Sequence, residues 1–173
     1  MRRTAVHFVS PVVAALVILT DQLSKYWVAT QLPEGQSWYI APWLAPILRL
    51  THVTNTGVAF GLFPGLGILF VIVSIVVVVV ILLYELQLPH DQWLIRLALG
   101  LQLGGAIGNN LIDRVRLGSV VDFIDLNFWP LETFPVFNLA DASIVVGVIM
   151  LAGVLLLEER RGQLAGRMVE EGS

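Results

Sequence analysis

The sequence predicts an all-α membrane protein of four transmembrane helices, with a small extracytoplasmic β-sheet on its outer face. Of the 173 residues, 57% are hydrophobic and only 13% are charged, whereas about 25% of residues are charged in a typical soluble domain. A soluble domain of this size could not bury so much apolar surface, so a membrane must solvate much of it. Four apolar stretches, separated by more polar segments, indicate a single integral membrane domain over residues 1–173.

Each apolar stretch approaches the roughly 20 residues that a membrane-spanning helix requires. The four spans are expected at about residues 8–28, 66–84, 93–112 and 142–157. The basic start of the chain also fits a cleavable signal peptide, but its cleavage site is poor and three further spans follow. In the third span, Gly104 and Gly108 form a small-residue step that lets another helix approach closely.

The two longer connecting segments, at about 30–63 and 113–140, are expected on the extracytoplasmic side. The first holds several prolines and glycines together with Trp38, Tyr39 and Trp43, and such aromatic residues favour the boundary between lipid and water. Residues 47–54 alternate in polarity and carry β-branched side chains, which predicts short strands. A small sheet lying on the membrane surface is therefore expected in this segment.

Arginines determine the expected orientation, because basic residues are retained on the cytoplasmic side. They occur near both ends of the chain, at Arg2, Arg3, Arg160, Arg161 and Arg167. With four spans, both termini are then cytoplasmic, and the polar residues at the span ends gather on the outer side. Arg114 and Arg116 fall outside against this rule, so a carboxylate partner or a substrate is expected beside them.

Composition excludes several chemistries. The chain has no cysteine, which removes disulfides, thiolate metal sites and a thiol nucleophile. Its formal charge of -3 argues against a nucleic-acid partner, which normally requires a basic surface. The expected orientation places His7 and His90 inside and His52 outside, so the histidines cannot converge on a metal ion. No metal and no cofactor are therefore expected.

Ionisable residues at membrane depth are the remaining candidates, because they are costly there and usually functional. They are Asp21, Lys25, Asp113, Arg114, Asp122, Asp125 and Asp141. Two facing carboxylates share a proton, and one can take a proton from water while the other donates to a scissile carbonyl oxygen. The residues alone leave open whether Asp141 takes part in such chemistry or, with Asn138, only caps the fourth helix.

A serine nucleophile with a lysine base, at Ser24 and Lys25, is disfavoured because adjacent helical residues point about 100° apart. Lys25 is expected to reach the interface or to pair with Asp21. Two non-enzymatic functions also stay open. A proton-coupled transporter component would need polar residues through the depth of the bundle, and an assembly factor would use the small residues of the third span to pack a partner.

Five motifs, in order, resemble those of the lipoprotein signal peptidase (signal peptidase II) family. They lie between about residues 15 and 150 and read Asp21-Gln22-Leu23-Ser24-Lys25, Asn55-Thr56-Gly57-Val58-Ala59-Phe60, Gly104-Gly105-Ala106-Ile107-Gly108-Asn109-Asn110-Leu111-Ile112-Asp113-Arg114, Val120-Val121-Asp122-Phe123 and Phe137-Asn138-Leu139-Ala140-Asp141. The resemblance implies a four-helix aspartic endopeptidase of the bacterial inner membrane, with an extracytoplasmic sheet that cradles its site. It implies removal of signal peptides from prolipoproteins by cleavage before a diacylglyceryl-modified cysteine. The expected partners are these substrates and membrane lipid, and we expect a monomer.

The resemblance also implies roles for individual residues. Asp122 and Asp141 correspond to the catalytic dyad, and Asp125 is the nearest rival to Asp122. The implied supporting and substrate-binding residues are Asp21, Asn55, Asn110, Arg114 and Asn138.

The third motif departs from the family pattern at one point. The family motif reads Gly-Asn-x-x-Asp-Arg, whereas Asn109 and Asn110 are consecutive in this chain. Counting back from Asp113 selects Asn110, and counting forward from the glycines selects Asn109. We expect only one of them to occupy the helix face that points to the site.

Overall fold

Helices make up most of the chain. The computed structural model describes residues 8–57 and 67–171, without the side chains of residues 162 and 164–171. Its elements are α1 (Val9–Gln31), β1 (Ser37–Trp38), β2 (Leu48–Asn55), α2 (Gly67–Gln87), α3 (Trp93–Ala106), a π-helical turn (Ile107–Asp113), α4 (Arg114–Leu117), β3 (Val120–Leu126) and α5 (Leu139–Glu171). Of the residues used above, Arg2, Arg3, His7, positions 58–66 and the side chain of Arg167 lie outside the described residues.

Three helices of the described chain are long and apolar enough to cross a membrane, namely Val9–Gln31, Gly67–Gln87 and Leu139–Arg161. They correspond to the first, second and fourth predicted spans. The five valines at 76–80 would favour a strand in water, but in lipid a helix satisfies every backbone group internally. The third predicted span begins as α3 at Trp93 and passes into the π-helical turn at Ile107. The chain is therefore a multi-pass membrane protein.

The central helix of the bundle is α3, which packs between α1 and α5. A methyl group at Gly104 would lie 2.7 Å from Val17 Cβ, and one at Gly147 of α5 would lie 2.7 Å from the carbonyl oxygen of Ala98. These distances are well below ordinary contact, so only glycine lets the helices approach this closely. The close helix approach predicted at Gly104 is confirmed.

The strands form one antiparallel sheet in the order β1-β2-β3. The strands predicted at 47–54 are confirmed by β2, but β3 lies in the segment 113–140, for which no strand was predicted. In the register of β2 with β3, Val53 is opposite Asp122 and Asn55 is opposite Val120. Asn55 and Asp122 therefore lie near one another at the end of the sheet where β3 begins.

Aromatic side chains connect the sheet with α1. The Trp27 ring near the end of α1 packs against Trp38 of β1, with ring centroids 5.5 Å apart. Trp43 and Trp129 are largely exposed, as expected for residues that anchor at a lipid–water boundary. The sheet is thus held at one end of the helical bundle.

Candidate active site

The chain folds back after β3 through a bridge to the segment that precedes α5. Phe137 pairs antiparallel with Ile124 of β3; its amide donates to the Ile124 carbonyl at 3.1 Å, and its carbonyl accepts from the Ile124 amide at 2.7 Å. Asn138 follows directly, and α5 begins at Leu139. This bridge brings the start of α5 beside Asp122, which the separation of Asp122 and Asp141 in sequence could not establish.

Asp122 is a buried carboxyl group, only 3% exposed. Both of its oxygens accept hydrogen bonds, Oδ2 from Asn55 Nδ2 at 2.9 Å and Oδ1 from Asn138 Nδ2 at 2.6 Å. Burial raises the pKa of Asp122 above its ordinary value, because the charged form loses its hydration. The two amide donors and the charges of Lys25 and Arg114 oppose this rise in pKa. The neutral form is therefore favoured more than in an exposed aspartate.

Asp141 lies in the first turn of α5 and forms a reciprocal cap with Asn138. The Asp141 amide donates to Asn138 Oδ1 at 2.9 Å, and the Asn138 amide donates to Asp141 Oδ2 at 3.3 Å. This is the geometry of a capping box, with Asn and Asp in place of the usual residues. Capping by this pair is confirmed, and it leaves Asp141 Oδ1 to accept from Asn109 Nδ2 at 2.7 Å. Capping and membership of a polar site are thus compatible.

Asn138 connects the two carboxyl groups directly. Its side chain is fully buried, donates to Asp122 and accepts from the Asp141 amide, while its own amide donates to Asp141. One residue therefore fixes the position of one aspartate relative to the other. The two carboxyl groups also interact electrostatically, and both line the same cavity.

This cavity has a volume of about 360 Å³. Its polar side is formed by Asn55, Asn109, Asn110, Arg114, Asp122 and Asp141. Its apolar side includes Phe70 of α2, Phe137 before α5, and Ile144 and Val145 of α5. The cavity therefore combines two carboxyl groups with apolar side chains, some of them from the membrane helices α2 and α5.

Asp21 supports the site from behind and does not line the cavity. It is fully buried; its Oδ1 accepts from the Ala140 amide at 3.0 Å, and its Oδ2 lies 2.6 Å from Lys25 Nζ. The predicted pairing of Lys25 with Asp21 is confirmed. Lys25 also forms an ion pair with Asp113 at 2.6 Å. We name Asp21, Lys25 and Asp113 the Lys25 cluster.

Arg114 lines the cavity beside the dyad candidates. Its Nε donates to Asn110 Oδ1 at 2.9 Å, and its Nη2 donates to the Gly57 carbonyl at 2.6 Å. These hydrogen bonds connect the end of the π-helical turn with the segment after β2. The charge of Arg114 interacts with those of Asp122 and Asp141, so the carboxylate partners predicted beside Arg114 are present.

The expectation that only one of the two asparagines can face the site is wrong. Both Asn109 and Asn110 line the cavity. Between Ile107 and Asp113 the helix is π-helical, and the Arg114 amide bonds to the Asn109 carbonyl, five residues back. Such a turn holds one residue more than an α-helical turn. Asn109 therefore lines the cavity together with Asn110, and the two ways of counting did not identify alternatives.

Asp125, the rival to Asp122, lies outside the cavity. Its Oδ2 accepts from Arg49 Nε at 2.6 Å and from Thr51 Oγ1 at 2.6 Å. Both partners belong to β2, so the carboxyl group of Asp125 serves the pairing of β2 with β3. Within the described residues, no group of three or more histidine and acidic side chains could hold a metal ion.

Comparison with known proteins identifies the family. The sequence model of a family described as signal peptidase (SPase) II matches residues 13–157. The chain belongs to this family. It is similar to the lipoprotein signal peptidase of Moorella thermoacetica, with 49% identity over 83% of this chain and 90% of the relative. It is also similar to the lipoprotein signal peptidase of Halothermothrix orenii, with 39% identity over 87% of this chain and 97% of the relative.

Similarity in structure agrees with similarity in sequence. A solved bacterial membrane enzyme superposes with a TM-score of 0.77 and 33% identity, over 87% of this chain and 88% of that chain. The prediction of an aspartic-type membrane peptidase of the signal peptidase II family is confirmed by these comparisons. The alternative of a proton-coupled transporter component has no support among them.

Proposed function

We propose that Asp122 and Asp141 are the catalytic dyad with which this bacterial membrane peptidase removes signal peptides from prolipoproteins. The observation that carries the proposal is the contact of Asn138 with both carboxyl groups at one wall of the cavity. Asn138 lies between a strand and a helix start that are otherwise far apart in sequence. A shared position for two carboxyl groups, one buried (Asp122) and one partly buried (Asp141), is what aspartic-type hydrolysis requires.

The dyad acts as one acid–base unit that shares a proton. The ionised carboxylate accepts a proton from a water molecule, whose oxygen attacks the scissile carbonyl carbon, while the neutral carboxyl group donates its proton to the carbonyl oxygen. The resulting tetrahedral intermediate collapses when the C–N bond breaks and the leaving amine takes up a proton. Burial, which raises the pKa of Asp122, keeps a proton available on the pair above the ordinary pH range of aspartate.

The other predicted site residues have supporting roles in this proposal. Asn55 and Asn138 orient the Asp122 carboxyl group, and Asp21 fixes the backbone of Ala140 next to Asp141. Arg114, which Asn110 holds in place, puts a positive charge on the cavity wall where substrate carbonyl groups would lie. These groups are positioned before substrate binds, which is how electrostatic catalysis is most effective.

The topology that suits this chemistry has four membrane crossings. Besides the three long apolar helices, the helical path over residues 93–117 rises about 1.5 Å per residue and is long enough for a hydrocarbon core of roughly 30 Å. Both termini would be cytoplasmic, with the spans near 8–28, 66–84, 93–112 and 142–157. The sheet and the dyad would lie on the extracytoplasmic face, in the segments 30–63 and 113–140 and the start of α5.

Substrate access follows from this arrangement. The acyl chains of a diacylglyceryl-modified cysteine would lie along the apolar wall near Phe70 and Val145, and the peptide bond before that cysteine would face the dyad. Such a substrate can arrive by lateral diffusion in the membrane, and a monomer is sufficient to complete the site. Every residue invoked belongs to one chain.

The test is cleavage of a diacylglyceryl-modified prolipoprotein by the purified protein and its variants. Asp122→Asn and Asp141→Asn should each lose at least about 10³-fold in turnover, the order expected when a general acid–base group is removed. Asp125→Asn is the matched control, because it makes the same change at a buried position of the same strand. The proposal fails if either dyad variant keeps more than a tenth of the parent turnover.

A further inference from the structure

Asn109 connects the Lys25 cluster with Asp141. Its side chain is only 5% exposed. On one side its Oδ1 accepts from Lys25 Nζ at 2.5 Å, and on the other its Nδ2 donates to Asp141 Oδ1 at 2.7 Å. Within the described residues, Asn109 is thus the side chain that hydrogen-bonds both Lys25 and Asp141.

The chemistry of these partners fixes the orientation of the Asn109 amide. An ammonium group has three donors and no acceptor, so the amide oxygen must face Lys25. The amide nitrogen must then face Asp141, whose carboxylate oxygen accepts. Reversing the amide would place two donors together at Lys25 and two acceptors together at Asp141.

All three protons of the Lys25 ammonium group are used in this arrangement. Its Nζ reaches Asp21 Oδ2, Asp113 Oδ2 and Asn109 Oδ1, which matches its three protons. Two of these partners are carboxylates held by further bonds, Asp21 to the Ala140 amide and Asp113 to Gln22. The Lys25 cluster is therefore a fixed point from which Asn109 extends toward Asp141.

We infer that Asn109 is a positioning residue that holds Asp141 Oδ1 in its reactive orientation and connects it with the charge of Lys25. The inference rests on the proposed function, in which Asp141 is one half of the dyad. The Asn109 side chain donates to Asp141 Oδ1, and the Asn138 backbone amide donates to Asp141 Oδ2. Both oxygens are held, so the plane of the Asp141 carboxyl group is fixed. Lys25 also polarises the amide, which makes Nδ2 a stronger donor.

The π-helical turn makes this contact compatible with the role of Asn110. Two consecutive residues of an α-helix point about 100° apart, so one of them would normally leave the site. The wider turn lets Asn109 contact Asp141 while Asn110 accepts from Arg114. The Asn109 side chain thus contacts Asp141, and the Asn110 side chain contacts Arg114.

The experiment compares Asn109→Ala and Asn109→Leu with Gln22→Ala, using cleavage of a diacylglyceryl-modified prolipoprotein and thermal unfolding of the purified protein. Leucine has the branched shape of asparagine, with methyl groups in place of the amide oxygen and nitrogen. Gln22→Ala is the matched control, because Gln22 donates to Asp113 of the Lys25 cluster and does not line the cavity. It reports what loosening that cluster does by itself.

Both Asn109 variants should lower kcat by about 10- to 100-fold, the effect of losing a hydrogen bond to a charged group, with KM within twofold of the parent. Gln22→Ala should lower Tm and leave kcat within twofold. The inference is overturned if kcat of both Asn109 variants stays within twofold of the parent, or if their loss appears only in KM. Activity in Asp141→Asn would instead overturn the proposed function, so the two failures are distinguishable.

Discussion

Gly105 of α3 lies where the start of α5 packs against it, at Ala140, Ser143 and Ile144. A methyl group at this position would lie 2.6 Å from Ile144 Cγ1 and 2.7 Å from Ser143 Oγ, and it would also clash with the Ala140 carbonyl oxygen. Ordinary contacts of such a group begin near 3.4 Å. In Gly105→Ala the start of α5 must therefore move away by roughly 1 Å, because close-packed interiors have no void to absorb the methyl group.

The magnitude follows from what this movement displaces. Ala140 is held to Asp21 through its amide, and Asp141 is held by Asn109 and Asn138. A misplacement of about 1 Å in a catalytic group costs on the order of 10²-fold in rate. Overpacking at a helix contact costs about 1–3 kcal/mol of stability. Gly105→Ala should therefore lower kcat/KM by about 10²-fold and lower Tm only moderately.

The assay is prolipoprotein cleavage together with thermal unfolding in detergent. Gly153→Ala is the control, since it adds the same methyl group to α5 where no atom lies within 4 Å. It should keep the parent rate. If kcat/KM of Gly105→Ala lies within threefold of that of Gly153→Ala, the close packing of α5 at Gly105 does not control the position of Asp141, and the prediction is refuted.

Three further predictions concern the ion pairs of Lys25, the hydrogen bond from Asn55 to Asp122, and the need for a metal ion. Lys25→Met leaves the buried carboxyl groups of Asp21 and Asp113 without their cation and should cost about 3–5 kcal/mol of unfolding free energy; a loss below 1 kcal/mol would contradict this. Asn55→Ala removes a hydrogen bond that lowers the pKa of Asp122, so the limb of the pH–rate profile that reports Asp122 should move to higher pH by about one to two units. If this limb of the pH–rate profile does not move in Asn55→Ala, the prediction is refuted. EDTA should leave cleavage unaffected, and tenfold inhibition would count against metal-free hydrolysis.

Composition and motif order were sufficient for the general outline of the molecule. Long apolar runs can be stable only as membrane helices, so three of the predicted spans correspond to α1, α2 and α5. The alternating polarity of residues 47–54 predicted β2, because a period of two residues is specific to strands. The choice of Asp122 and Asp141 depended on the resemblance, because many aspartates near helix ends have the same local chemistry.

Details that depend on backbone geometry or on tertiary contact could not be predicted. The α-helical and π-helical readings of residues 107–113 differ by one residue per turn, and no local propensity distinguishes them. β3 lies in a segment of loops, and its pairing with β2 depends on contacts distant in sequence. The return of the chain to Asp122 requires the bridge between Phe137 and Ile124, which is made by backbone groups that the side chains do not reveal.

Asn138 illustrates how narrow the chemical choice at one position can be. It needs an acceptor for the helix start and a donor for Asp122, both on one short side chain. Aspartate offers acceptors alone when ionised, and serine has one polar side-chain atom where asparagine has two. Glutamine has both groups but is longer by one methylene. Almost no substitution of Asn138 should therefore be tolerated.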